Sequence, residues 1–153
     1  MSDDGTPVYW GDLLGRLQRA HAYWLATATP TGGPHVAPIW GAVHGSSLHL
    51  FTERSTLKAR NVARDPRVAL HLADTDDVTI VYGSLVDLGH PRGQPEVLEA
   101  LERKYDGPGE AAYLPSAPGS TYDVIYRLDA VRALTWSLED FEGSQRRWRA
   151  GDG

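Results

Sequence analysis

Apolar residues recur along the chain at two periods, and the switches between them divide it into elements. Met1 to Pro7 are polar and predict a frayed start. Asp12 then stands as an N-cap before Leu13, Leu14 and Leu17, whose spacing predicts a short amphipathic helix from about Trp10 to Ala20. Tyr23 to Thr29 is rich in β-compatible residues and ends at the turn signal Pro30-Thr31-Gly32-Gly33. Pro34 to Val43 continues as a second strand, turned by His44-Gly45-Ser46. Ser47 to Thr52 alternates, with Leu48 and Leu50 on one face and His49 and Phe51 on the other. Three strands joined by short turns predict an antiparallel meander.

The period changes at Glu53-Arg54-Ser55-Thr56, where a Ser or Thr precedes the helix-forming run Leu57 to Ala63, stopped by Asp65-Pro66. Two strands follow, Arg67 to Ala73 and Asp77 to Leu88, then a Gly/Pro-rich connector from His90 to Pro95. Pro95 to Tyr105 reads as another helix, with Val97, Leu98 and Leu101 on its apolar side. Asp106 to Gly119 reads as loop, and Tyr122 to Leu128 and Val131 to Trp136 as the closing strands. The tail from Ser137 to Gly153 has no clear period but carries Trp148 between two arginines. Many short strands with two or three helices predict a mainly β, barrel-type fold with α decoration. One domain over 1–153 is expected, its core at about 8–143 and its tail at 144–153.

Composition narrows the chemistry. The absence of cysteine removes disulfides and thiolate sites, and the six histidines form no metal-ligand pattern. A formal net charge of -5 argues against a nucleic-acid footprint. No apolar run reaches the length of a membrane span and no leader pattern opens the chain, so a cytoplasmic protein is expected. Lys58 and Lys104 are the only lysines, an arginine bias that suggests a GC-rich genome.

Two stretches carry candidate chemistry. Lys58, beside a helix start, brings positive charge to a favourable dipole, as a phosphate requires. Thr52, Ser55 and Thr56 before it and Arg60 and Asn61 after it would add donors. The same residues also read as the solvated basic face of a helix. The strand Val36-Ala37-Pro38-Ile39-Trp40 contains a proline that cannot donate to a ladder, which places it at an edge with free backbone groups. It reads equally as a slot for a flat ring or as an edge strand with a packed Trp40.

From Tyr23-Trp24-Leu25-Ala26-Thr27 through Leu72, the chain resembles the pyridoxamine 5'-phosphate oxidase-like, FMN-binding split β-barrel family. Pro34 to Trp40, Phe51-Thr52, Lys58-Ala59-Arg60-Asn61 and Asp65-Pro66-Arg67-Val68 carry the resemblance in order. The closing Trp136 and Arg147-Trp148-Arg149 are similar to the C-terminal signature of an actinobacterial branch that uses coenzyme F-420, a deazaflavin. The family's pyridoxine-pathway oxidases grip the substrate phosphate with a C-terminal Arg-x-His motif, and no histidine lies among Arg146 to Arg149.

The resemblance implies a homodimer with FMN or F-420 bound at the subunit interface. It assigns the phosphate to the Lys58 region and the ring to Val36–Trp40. Trp136, Arg147 and Trp148 are expected to reach the partner's ring, or else to pack the dimer interface. The expected activity is an F-420-dependent reductase passing hydride to a small unsaturated substrate, with no catalytic side chain assigned. An FMN-dependent oxidoreductase and a non-catalytic carrier of flavin, F-420 or haem remain open.

Overall fold

The computed structural model describes residues 6–153. Most of the expected frayed start, Met1 to Gly5, lies outside the described residues. Thr6–Pro7 is not loose: it is a two-residue strand, β1, running parallel to a C-terminal strand, β8 (Arg146–Arg149).

The meander forms as its turn signals predict: β2 (Tyr23–Ala28), β3 (Pro34–His44) and β4 (Ser47–Thr52), each antiparallel to the next. β5 (Arg67–His71) pairs back onto β2, and β6 (Asp77–Asp87) onto β5. The expected strands at Tyr122 to Leu128 and Val131 to Trp136 are one strand, β7 (Val124–Ser137). Its first part pairs with β4, and nearly all of it lies against β6. That last pairing closes a six-stranded barrel in the order β7-β4-β3-β2-β5-β6, so the chain is a mainly β split barrel with few helices.

The apparent break in β7 is a bulge. Arg132 faces Tyr82 and Ala130 faces Gly83, leaving Val131 outside the register. A Cβ at Gly83 would run into the Asp129 carbonyl, so only glycine lets the two backbones approach this closely.

Leu25, Leu48, Leu50, Leu70 and Val81 fill the barrel interior. Helix α1 (Trp10–Arg19) contributes Leu13 and Leu17, four residues apart and fully buried in the same core. Its N-cap is Tyr9 rather than Asp12; Asp12 lies in the first turn, where its charge still suits the helix dipole. Helix α2 (Leu57–Arg64) begins at Thr56, whose hydroxyl accepts from the Ala59 amide, and adds Val62. Helix α3 (Pro95–Lys104) packs on the outside of β3, and its Val97, Ala100 and Leu101 share a second core cluster with Ala42, Phe51 and Ile125. β4 is therefore buried on both faces, which its alternation did not announce.

The tail is part of the fold. After a one-turn helix, α4 (Phe141–Ser144), β8 pairs with the far half of β7. The Val8 amide donates to the Arg147 carbonyl and the Trp10 amide to that of Gly153, both at 2.9 Å. Trp148 is 6% exposed and lies against Trp10, ring centroids 4.6 Å apart, within the main core cluster. Its expected role at a partner's ring is thereby corrected: the indole is spent on joining the two ends of the chain. Trp148→Ala should destabilise the protein by about 3–5 kcal/mol, as large core truncations do. Urea unfolding checks this, and a loss below about 1 kcal/mol would return Trp148 to a surface role.

Candidate functional site

β3 changes partners half-way. Residues Pro34 to Ile39 pair with β2, and Trp40 to His44 pair with β4 on the other edge. Where the strand changes neighbours, one edge of its first half has no strand beside it among the described residues, and Pro38 sits there as its missing amide requires. A cleft of about 280 Å³ opens at this seam, lined by Pro38, Ile39 and Trp40 of β3, Phe51 and Thr52 of β4, and Lys58 of α2. Tyr113 and Tyr122, from the connection between α3 and β7, form its outer rim.

The walls are aromatic and braced. Trp40 lies parallel to Tyr105, centroids 4.2 Å apart, and Tyr122 meets Phe51 edge-on at 4.9 Å. The Tyr105 hydroxyl donates to the His21 carbonyl at 2.5 Å and accepts from the Gly41 amide at 3.2 Å. Lys104 completes the brace, its ammonium donating to the Gly41 carbonyl (2.7 Å) and the Tyr23 hydroxyl (2.8 Å). It lies 4.7 Å from the Tyr23 ring centroid and 5.0 Å from that of Tyr105.

Lys58 has no such partners. Half-buried at the cleft, its ammonium makes no hydrogen bond or ion pair with another described residue. Burial lowers its pKa, opposed by the charge of Glu53. The start of α2 leaves the Leu57 and Lys58 amides without helical acceptors. A half-buried, unpaired cation beside a helix N-terminus is an arrangement that an anion would complete.

Of the expected site residues, the structure brings Pro38, Ile39, Trp40, Thr52 and Lys58 into one cleft. Ser55 is exposed and Arg60 lies on the outer side of α2, neither lining it. The Thr56 hydroxyl is committed to the helix cap, donating to the Glu53 carbonyl at 2.8 Å. Asn61 points the other way: it is 1% exposed and its Nδ2 donates to Thr27 Oγ1 at 3.0 Å, fastening α2 to the barrel. Val36 and Ala37 belong to the adjoining open half of β3, with Val36 51% exposed. Trp136 packs edge-on against Phe141, and Arg147 pairs with Leu134 on β7; neither lines the cleft. Sequence reasoning missed Phe51, Tyr113 and Tyr122 as lining residues. A tyrosine in a Gly/Pro-rich loop was the available signal for Tyr113.

A split barrel with a cationic, aromatic cleft at the β3–β4 seam agrees with the match to known families. The family model described as pyridoxamine 5'-phosphate oxidase matches residues 12–137. The chain belongs to this family. Among solved structures, a conserved hypothetical protein from Mycobacterium tuberculosis superposes with a TM-score of 0.72 at 24% identity, covering 90% of this chain and 89% of that one. An F420 reductase superposes with a TM-score of 0.62 at 27% identity, covering 84% of this chain and 98% of that one. A heme binding protein from Mycobacterium smegmatis superposes with a TM-score of 0.69 at 16% identity, covering 94% of this chain and 58% of that one. No curated protein matches the chain. No helix among the described residues is long and apolar enough to cross a membrane.

In this member of the pyridoxamine 5'-phosphate oxidase family, the brace behind Trp40 makes stability depend on pH. Burial pulls the Lys104 pKa down to about 8, below its ordinary 10.5. Burial pushes Tyr105 and Tyr126 up to about 12 and raises Tyr23 further. Between pH 8 and 10 the unfolded chain holds a lysine proton that the folded chain has lost, so stability rises with pH. Above pH 10 the unfolded tyrosines ionise first and stability falls. Urea midpoints across this range should show a maximum near pH 10, and Lys104→Met should flatten its rising limb.

Proposed function

We propose that the chain is a cofactor-dependent oxidoreductase that binds coenzyme F-420, or FMN in its place, in the Lys58 cleft, working as a homodimer. The observation that carries the reading is the Lys58 ammonium, desolvated and unpaired beside the free amides of α2. The donor set suits a phosphate, and the aromatic walls beside the open edge of β3 suit a flat ring. The likeness to an F420 reductase over 84% of the chain supports the deazaflavin in preference to FMN.

Each residue has a separable task. Lys58 and the α2 amides hold the phosphate; Thr52, 3% exposed, offers a hydroxyl at the cleft wall. Backbone groups of β3 around Pro38 meet the polar edge of the ring, and Trp40, held by Tyr105, fixes its position. Tyr113 and Tyr122 exclude water from the rim. Once bound, the cofactor supplies hydride transfer to or from a small organic substrate, and the protein's own contribution is binding and orientation.

The dimer reading is supported by what the chain leaves bare. The cleft, at about 280 Å³, is at the small end for a ligand of this size, so one copy holds only part of it. Beside it, α3 packs on β3, while the outer sheet face around Val36 of β3 and Val78 and Ile80 of β6 is left partly or largely exposed. A second copy laid on that face would cover it and wall the open side of the cleft.

Lys58→Ala should weaken F-420 or FMN binding tenfold to a hundredfold, the value of one charge-assisted hydrogen bond of about 1.5–3 kcal/mol. Titration by absorption spectroscopy at fixed salt reads this and separates flavin, deazaflavin and haem bands. Arg92→Ala, on an exposed turn away from the cleft, is the control. Equal affinities in all three proteins would remove the phosphate cradle.

Light scattering should find a dimer at micromolar concentration, with an interface above about 2,000 Å². Ile80→Asp, placing a charge on the bare face, should yield monomers. A wild-type monomer would end the shared-site reading.

A further inference from the structure

A second cavity among the described residues is larger than the Lys58 cleft. About 490 Å³ in volume, it lies between the C-terminal end of α1, the loop into β2 and the hairpin joining β5 to β6. It adjoins the Lys58 cleft, because Pro38 lines both. The two also meet through rings: His21 of the cavity stands edge-on to Trp40 of the cleft, 5.1 Å between centroids.

The chemistry of its lining is specific. Ala20, Ala22, Pro38, Leu72 and Ala73 give an apolar floor, and Trp24 offers an indole that is 39% exposed. The charged groups around it largely satisfy one another. Asp77 accepts from Arg16 at 3.0 Å, and Arg16 also donates to Thr79 Oγ1 at 3.1 Å. Asp74 Oδ1 accepts from the Asp76 and Asp77 amides, which hold its pKa down. His21 is joined to Glu110 at 3.2 Å. Arg19 remains: its guanidinium lies at the cavity rim with no hydrogen bond or ion pair to another described residue. An exposed aromatic plane, an apolar floor and one uncommitted guanidinium define what fits. The ligand would be flat, mostly apolar, and would carry a carboxylate for bidentate pairing with arginine.

We propose that this cavity is a second small-molecule site, taking a planar apolar carboxylate stacked on Trp24 and anchored by Arg19. The lining alone supports the site. Its identification as the seat of the co-substrate rests on the cofactor reading above, since it follows from the cavity's position across Pro38 from the ring.

Cinnamate, with cinnamyl alcohol as its uncharged counterpart, tests the site by calorimetric titration of the cofactor-free protein. Cinnamate should bind the wild type, and Arg19→Ala should weaken it by about tenfold or more while leaving cinnamyl alcohol unchanged. Trp24→Ala should weaken both. Lys58→Ala should leave cinnamate affinity as in the wild type, because that lysine belongs to the neighbouring cleft. Absence of cinnamate binding at millimolar concentration overturns the proposal, as does equal affinity in Arg19→Ala or loss of cinnamate binding in Lys58→Ala. Cofactor titration of the same proteins reads the other site independently. Cinnamate bound through Arg19 in a protein that takes no cofactor would preserve this site and remove its co-substrate role.

Discussion

The ladder between β6 and β7 is the contact on which the remaining architecture depends. Asp77 to Asp87 faces Ser137 back to Tyr126, and this pairing turns a folded sheet into a closed barrel. Closure pairs β6 with β7 and so removes the edges that these two long strands would otherwise present. It also encloses an interior that Leu13 and Leu17 of α1 can fill from one helix face. The ladder accommodates its own curvature through the bulge at Tyr82/Gly83, where the missing side chain allows the backbones to approach. A side chain at Gly83 would act on the closure itself, not on a single contact.

Closure also decides where a ligand can bind. The interior is packed, so cavities form where helices and loops meet the barrel's surface. β3 is paired on one edge for half its length and on the other for the rest, and the cleft lies at that exchange. The two lysines show how position sorts identical chemistry. Burial lowers the pKa of both. Lys104 meets a carbonyl, a hydroxyl and two rings, and serves to hold Tyr105 and hence Trp40. Lys58 meets no comparable group and faces a cleft, so its charge is available to a ligand.

Much of this was legible from periodicity. The helix at Trp10, the meander from Tyr23 to Thr52 and the capped helix at Leu57 depend on neighbours a few residues apart. Helix starts and edge prolines carry local signals that made Lys58, Thr52 and Pro38–Trp40 site candidates, and the family resemblance weighed them toward a ligand. Asn61 and Trp148 misled for a common reason. A polar residue one turn after a lysine and a tryptophan between arginines read the same whether they face a ligand or the core. The outcome rests on Thr27 and Trp10, distant in sequence.

The sequence by itself determined the alternation of strands and helices, the turns that join them, and the positive charge at the start of α2, all properties of short windows. Only the tertiary structure decided that β7 is continuous, that the tail is a strand, that Tyr113 and Tyr122 rim a cleft, and that Arg19 is left over beside a cavity. Those features arise from pairings between residues far apart in the chain. A side chain's local pattern states what it can bond to; closure of the barrel determines which partners are within reach.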